Sequence, residues 1–278
     1  MHIITSRAEL AQLVTQWHKE NERIGVVPTM GALHNGHLTL VNALDGKVTR
    51  RIVTIFVNPI QFNNAEDFRL YPRGVDKDAT LLADTGKVDV LYAPNENEMY
   101  PQGFSTRVLV SGLDGMLCGG DRPGHFDGVA TVVTKLLLQT GADVAALGEK
   151  DYQQLCIIRR LAADLNLPVE ILPVPTVREA DGLALSSRNR RLTAEQRTQA
   201  ATLPAALTAC LGALRAHQPA PSALAQCRAT LEQAGFTVHY LELRAESDLH
   251  LTQDATPGTR LFVAASLGDI RLIDNMPV

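Results

Sequence analysis

A chain of 278 residues, 45% of them hydrophobic, is long enough to bury one large core or two. Its formal charge of −4 and the lack of any long basic run exclude nucleic acid as the main partner, and 5% aromatics leave too few rings for a single-strand stacking platform. Four cysteines, Cys118, Cys156, Cys210 and Cys227, are scattered without Cys-x-x-Cys pairing, which reads as the reduced thiols of a cytoplasmic protein.

The N-terminal stretch "MHIITSRAELAQLVTQW" has no basic segment followed by an apolar one, and no apolar run is long enough to span a bilayer. It predicts an amphipathic helix over 7–20, with Ser6 and Glu9 as a capping box and Leu10, Leu13, Val14 and Trp17 as its stripe. Ile24–Val27 reads as a buried strand, and Leu38, Val41 and Leu44 repeat at helical spacing over 37–46. His34-Asn35-Gly36-His37 therefore falls between strand and helix. Residues three apart on a first helical turn share a face, so both imidazoles can meet one ligand. Gly36 removes a side chain where an anion would approach the backbone, and the helix N-terminus adds positive potential. The competing reading is two half-exposed histidines, one of them a cap. Zinc is disfavoured, because no Cys or carboxylate stands nearby at ligand spacing.

A second strand, Ile52–Val57, leads into a polar loop carrying Asn58, Gln61 and Asn63. Amides there can hydrogen-bond a small polar substrate or satisfy their own turns. A helix over 75–86 and a strand at Val88–Ala93 follow. Arg122 precedes a Pro-Gly turn and a helix over 127–140; it can reach a phosphate or pair with Asp121, while His125 can be a ligand contact or, the favoured reading, a capped core histidine. After the strand Val144–Leu147, "GEKDYQQL" repeats the glycine-to-helix pattern of an anion site: Lys150 is a cation suited to phosphate, Asp151 can take a ribose hydroxyl or cap the 151–165 helix, and Gln154 faces the same way one turn on. The last strand of this series is Val169–Val174. Strands alternating with helices predict an α/β fold with a mostly parallel, doubly wound sheet, whose ligands sit at the carboxyl ends of strands.

The texture changes after Val177. "GLALSSRN" places Ser186, Ser187 and Arg188 in a loop, hydroxyls plus a guanidinium that suit a polyphosphate. Thr193 and Gln196 form a second capping box opening a helix to about His217, another helix covers roughly 222–234, and "VHYLELR", "TRLFVAASL" and "IRLIDN" read as strands. Helices followed by strands predict a smaller α+β domain, so the expected division is 1–176 and 177–278.

Taken in order, "VPTMGALHNGH", "FVNPIQF", "YPR", "RPGHFDGV", "GEKDYQQL" and "DGLALSSRN" resemble the pantothenate synthetase (pantoate–β-alanine ligase) family over nearly the whole chain, down to "LGDIRLIDN". His-x-Gly-His alone suggests only the wider nucleotidylyltransferase superfamily. The resemblance implies a Rossmann-like N-terminal domain, a C-terminal domain that closes over ATP, Mg²⁺, a homodimer, and ATP-dependent joining of pantoate to β-alanine through an enzyme-bound pantoyl adenylate. It implies an ATP site made by Pro28, Thr29, Met30, Gly31, Ala32, Leu33, His34, Asn35, Gly36 and His37 together with Gly148, Glu149, Lys150, Asp151, Val177, Leu185, Ser186, Ser187 and Arg188. It assigns Gln61, Asn58, Gln154 and Arg122 to pantoate and β-alanine. His34, His37, Lys150 and Arg188 would carry the chemistry, with His37 as proton donor. Attack of a carboxylate on phosphorus needs no protein nucleophile, only two anions held in line with their repulsion offset. Family members often carry two acidic residues after "YPR"; here the stretch is Asp76-Lys77-Asp78, so Mg²⁺ is expected on the ATP phosphates with no protein ligand. The rivals are an adenylyltransferase for a different substrate, which "FVNPIQF" and Gln154 argue against, and a non-catalytic ATP sensor, which would not need both histidines with Lys150 and Arg188.

Overall fold

The computed structural model describes all 278 residues. Six strands, β1 (His2–Ile4), β2 (Ile24–Thr29), β3 (Arg50–Ile55), β4 (Val90–Tyr92), β5 (Val144–Gly148) and β6 (Glu170–Val174), form one wholly parallel sheet in the order β1-β4-β3-β2-β5-β6. Alternation along each strand feeds two cores. Ile24, Val26 and Ile52 face the helices Arg7–Lys19, His125–Thr140 and Tyr152–Asp164, while Val27, Val53 and Val144 face Asn35–Ala43 and Val75–Ala83. A parallel sheet must cover both faces, and these helices do so. Chain order reverses between β2 and β5, and the crevice beyond their carboxyl ends is where such a sheet binds ligands.

The chain after β6 forms a second layer. β7 (Thr237–Ala245), β8 (Thr259–Leu267) and β9 (Ile270–Pro277) make an antiparallel sheet in the order β7-β8-β9. One face, with Leu243, Leu261 and Val263, packs on the helices Thr202–Arg215 and Ala220–Gln233. The other sends Tyr240, Phe262 and Ala264 into the same core as Ile24 and Val26. The apolar interior therefore continues across residue 176.

The parallel sheet and the small α+β unit match the expectation from the sequence, and three local readings change. β1 went unread because it has three residues, of which only Ile4 is buried. Ser6 caps its helix through Ala8 N–H at 3.2 Å, without the reciprocal contact from Glu9 that a capping box needs. The helix expected to run from Thr193 to His217 is two, Ala194–Ala200 and Thr202–Arg215. Pro204 explains the break: it has no N–H to give the carbonyl of Ala200, and it fits only in the first turn of a new helix. The Thr193–Gln196 capping box forms.

Candidate active site

β2 ends at Thr29, whose hydroxyl donates to the carbonyl of Thr54 at 2.7 Å and accepts from Gly31 N–H at 3.1 Å. The chain then turns through two left-handed residues, Gly31 (φ 80°) and Ala32 (φ 52°). Asp78 closes the turn from a neighbouring helix, its Oδ1 accepting from Leu33 N–H at 2.9 Å. The next helix starts at His34. The Nδ1 of His34 accepts from Gly36 N–H at 3.1 Å, and the Nδ1 of His37 accepts from His34 N–H at 3.3 Å, so the two histidines cap the helix reciprocally with ring centroids 4.1 Å apart. A Cβ on Gly36 would stand 2.9 Å from the His34 ring. The glycine is needed there so that this ring can fold over the helix end, a requirement that adds to the anion approach expected of it.

This capping fixes the chemistry of both rings. An Nδ1 that accepts a backbone N–H carries no proton, so the neutral ring bears its proton on Nε2. Burial lowers the pKa of His34 to about 4, helped by the charges of Lys150 and Arg190. Burial lowers His37 to about 3, with His34, Lys150 and Arg190 adding to the shift and Asp151 opposing it. At neutral pH the pair is therefore two Nε2–H donors without charge.

The other walls come from distant segments. After β5 a 3₁₀ turn, Glu149–Asp151, presents Lys150 with its ammonium 3.7 Å from the Asp151 carboxylate. Asn275 of β9 pins this turn, donating from Nδ2 to the carbonyls of Glu149 and Lys150 at 2.9 Å each. After β3 a 3₁₀ turn, Pro59–Gln61, presents Gln61, whose Oε1 accepts from Asn58 Nδ2 at 3.0 Å. Asn58 is fully buried, also donating to the carbonyl of Gly128 at 3.0 Å and accepting from the Tyr100 hydroxyl at 2.8 Å. Gly128 lets the 125–140 helix approach, since a Cβ there would sit 2.7 Å from the Gln61 backbone. His125 is buried, donating from Nδ1 to the Gln61 carbonyl at 2.8 Å. Burial first, then Arg122, holds its pKa near 4. His125 is thus buried and hydrogen-bonded at the start of its helix, and it also lines the larger cavity described below. A third 3₁₀ turn, Ser187–Arg191, is capped by Ser186 Oγ at 3.3 Å from Arg188 N–H.

These groups meet at two adjoining cavities. One, of about 230 Å³, is lined by His34, His37, Gln61, Lys150, Gln154 and Arg188 among others, with Pro28, Thr29, Met30, Gly36, Gly148, Asp151, Val177, Leu185, Ser186 and Ser187 also on its walls. The other, of about 530 Å³, shares Lys150, Asp151, Gln154, Ser186 and Arg188 and adds Arg122. Six expected residues line neither cavity. Gly31, Ala32 and Leu33 shape the turn behind the histidines. Asn35 points outward on the first helical turn, and Asn58 stands behind Gln61. The carboxylate of Glu149 turns to Arg260 at 3.7 Å. Arg122 lies in the larger cavity, away from the histidines.

The sequence reading missed three residues. Arg190 donates to the Leu33 carbonyl at 2.9 Å and so ties the arginine turn to the histidine turn. Asp67 takes both Arg188 at 3.3 Å and Arg191 at 3.0 Å. Asn275 holds the Lys150 turn. All three contacts join segments far apart in the chain, and only "SSRNRR", with its three arginines, offered a local signal.

Residues 2–277 match the sequence profile of the family described as pantoate-beta-alanine ligase. The chain belongs to that family. It is 56% identical to the pantothenate synthetase of Chelativorans sp. (strain BNC1) over 97% of this chain and 95% of that one, and 55% identical to that of Cereibacter sphaeroides over 99% of each. A crystal structure of the pantoate–β-alanine ligase from Thermus thermophilus superposes with a TM-score of 0.94 at 43% identity, covering 99% of both chains. The ligase from Francisella tularensis, solved in complex with beta-gamma ATP and β-alanine, gives 0.86 at 36% identity, covering 100% of this chain and 97% of that one. The two capping histidines, Lys150 and Gln61 line one cavity at the sheet's switch point.

Proposed function

We propose that this chain joins pantoate to β-alanine in two steps within the cavity at the carboxyl ends of β2 and β5. A pantoate carboxylate oxygen attacks the α-phosphorus of ATP, the bond to the β-phosphate oxygen breaks, and pyrophosphate leaves. The β-alanine amine then attacks the acyl carbon of the pantoyl adenylate; the carbon–oxygen bond to AMP breaks, and the nitrogen sheds a proton as the amide forms. The convergence of the His34 and His37 Nε2–H donors with Lys150 and the Ser186–Arg188 turn carries this reading. Donors fixed before the reaction stabilise developing phosphate charge without having to reorganise. His37 then acts as a hydrogen-bond donor to the departing phosphate rather than as a charged acid. Gln61, oriented by Asn58 and Tyr100, would hold pantoate and then β-alanine, with Gln154 beside it.

The ordered release of products tests this: pantoate and ATP alone should yield pyrophosphate, with AMP appearing only when β-alanine is added. Activation of a different carboxylate, with none of pantoate, would overturn the substrate and keep the reaction class.

Mg²⁺ would arrive on the ATP phosphates. Three nearby carboxylates are already engaged: Asp67 between two arginines, Asp151 beside Lys150, and Asp78 on Leu33 N–H. The second oxygen of Asp78 has no partner, but it is buried and lines neither cavity. We take residues 177–278 as a lid on the 1–176 domain, supported by a cluster of its own between Leu183 and Leu272, with Tyr240, Leu249, Phe262 and Ala264 making the junction to the first core. A homodimer and a cytoplasmic location belong to the same reading; a scattering mass equal to one chain would overturn the dimer.

A further inference from the structure

Arg122 is the odd cation of the larger cavity. Lys150 has Asp151 at 3.7 Å, Arg188 and Arg191 share Asp67, and Arg271 has Asp121 at 2.6 Å. Arg122 has no carboxylate partner. Its guanidinium reaches only His125 Nε2 at 3.3 Å and the Gln61 carbonyl at 3.5 Å. Burial lowers its pKa, and the charges of Arg188 and Arg271 lower it further. A half-buried cation beside other cations is stabilised when an anion visits.

The room for one is there. The cavity of about 530 Å³ shares the Arg188 wall with the reaction cavity, so an anion leaving the histidines past Arg188 enters it directly. Arg122 adds a guanidinium fork free of carboxylates, and Arg271, whose fork now holds Asp121 at 2.6 Å and Cys118 Sγ at 3.5 Å, adds a second once it exchanges Asp121 for an anion; such forks match phosphate oxygens two at a time. The same lining carries Glu66, Asp67, Asp151, Asp269 and Asp274, all but Asp269 paired with a cation, so it is Arg122, which has no carboxylate, that favours a polyanion over β-alanine.

We propose that the larger cavity is a docking site for inorganic pyrophosphate after the first step, adjoining the ATP phosphate site along the shared Lys150–Arg188 wall and distinguished from it by Arg122 and Arg271. This rests on the reading that the chain releases pyrophosphate. The test titrates inorganic pyrophosphate into the ligand-free protein by calorimetry and measures pyrophosphate inhibition of pantothenate formation, for the natural chain and for Arg271→Gln. Loss of one charge-assisted contact should weaken pyrophosphate by about tenfold or more, leaving the KM for ATP where it was. Arg271→Lys, which keeps the charge and loses the fork, should lie between and serves if Arg271→Gln does not fold.

Equal losses for ATP and pyrophosphate would make the cavity part of the ATP site and overturn the proposal, as would no loss at all. Sulfate binding as tightly as pyrophosphate would overturn the choice of a diphosphate. Pyrophosphate binding that depends on Arg271 in a chain that makes no pantothenate would sink the ligase reading and leave the site standing.

Discussion

The two sides of the reaction cavity are built in opposite ways. The histidine turn is held by backbone contacts: Asp78 on Leu33 N–H, His34 on Gly36 N–H, His37 on His34 N–H, with Gly36 leaving no room for a Cβ. The arginine turn is held largely by side chains reaching across space, through the ion pairs of Arg188 and Arg191 with Asp67 and the single bond from Arg190 to Leu33. Half-exposed ion pairs are weak and screened by salt. One side is preorganised; the other depends on partly exposed pairs with Asp67, which we propose an incoming phosphate replaces. A site that must grip a triphosphate and then release its pieces gains from having one fixed wall and one that yields.

The sharpest way to break this contrast is to remove a donor from the fixed wall. His37→Ala should slow adenylate formation by roughly 10²-fold or more, the scale of losing one preorganised donor, read as pyrophosphate release with pantoate and ATP alone. Near-normal release would mean the wall is not what stabilises the transferring phosphate. Gly128→Ala tests the support of Gln61: a Cβ 2.7 Å from its backbone should cost about 1–3 kcal/mol of stability by overpacking. It should also raise the KM for pantoate, and an unchanged unfolding curve with unchanged KM would contradict the close fit.

The histidines also predict an acid sensitivity. Their folded pKa values, about 4 and about 3, lie below the unfolded value of about 6.5. Below pH 6.5 the unfolded chain therefore binds protons that the native chain refuses. The contribution is complete above that pH and is lost as pH falls toward the folded values. Each histidine should add about 1.4 kcal/mol per pH unit to the slope of stability across that window. His37→Asn should flatten the slope; a slope indifferent to the substitution would mean that the ring is not held neutral.

The smallest expected effect is on the yielding wall. Asp67→Asn should change stability by less than about 1 kcal/mol, as for other partly exposed pairs. It should also reduce the salt dependence of the KM for ATP, because Arg188 would no longer have to leave a partner. A large loss of stability would show that this wall is fixed as well.

The contrast also marks what could be read from the sequence. His34, Gly36 and His37 were legible because their interactions lie within one turn, and strand-to-helix periodicity placed that turn correctly. Lys150 was legible for the same reason. Asp67, Arg190 and Asn275 were not, because each acts on a partner in another segment, and a single sequence carries no record of which segments meet. The role of Asn58 was not legible either: an amide beside Gln61 looks alike whether it touches a ligand or supports the residue that does, and its contact with Gln61 Oε1 shows the second. The split at Pro204 was legible in principle, and the steady run of Ala and Leu masked it.

The strand order carries a cost during folding. β2 pairs with β3 through a local crossover, but its other edge waits for β5, since Gly25 pairs with Val144 across most of the intervening N-terminal chain. Closing so long a loop is slow compared with forming the helices on either side. Until it closes, the apolar edge of β2 lies open, vulnerable to aggregation, and the catalytic crevice does not exist.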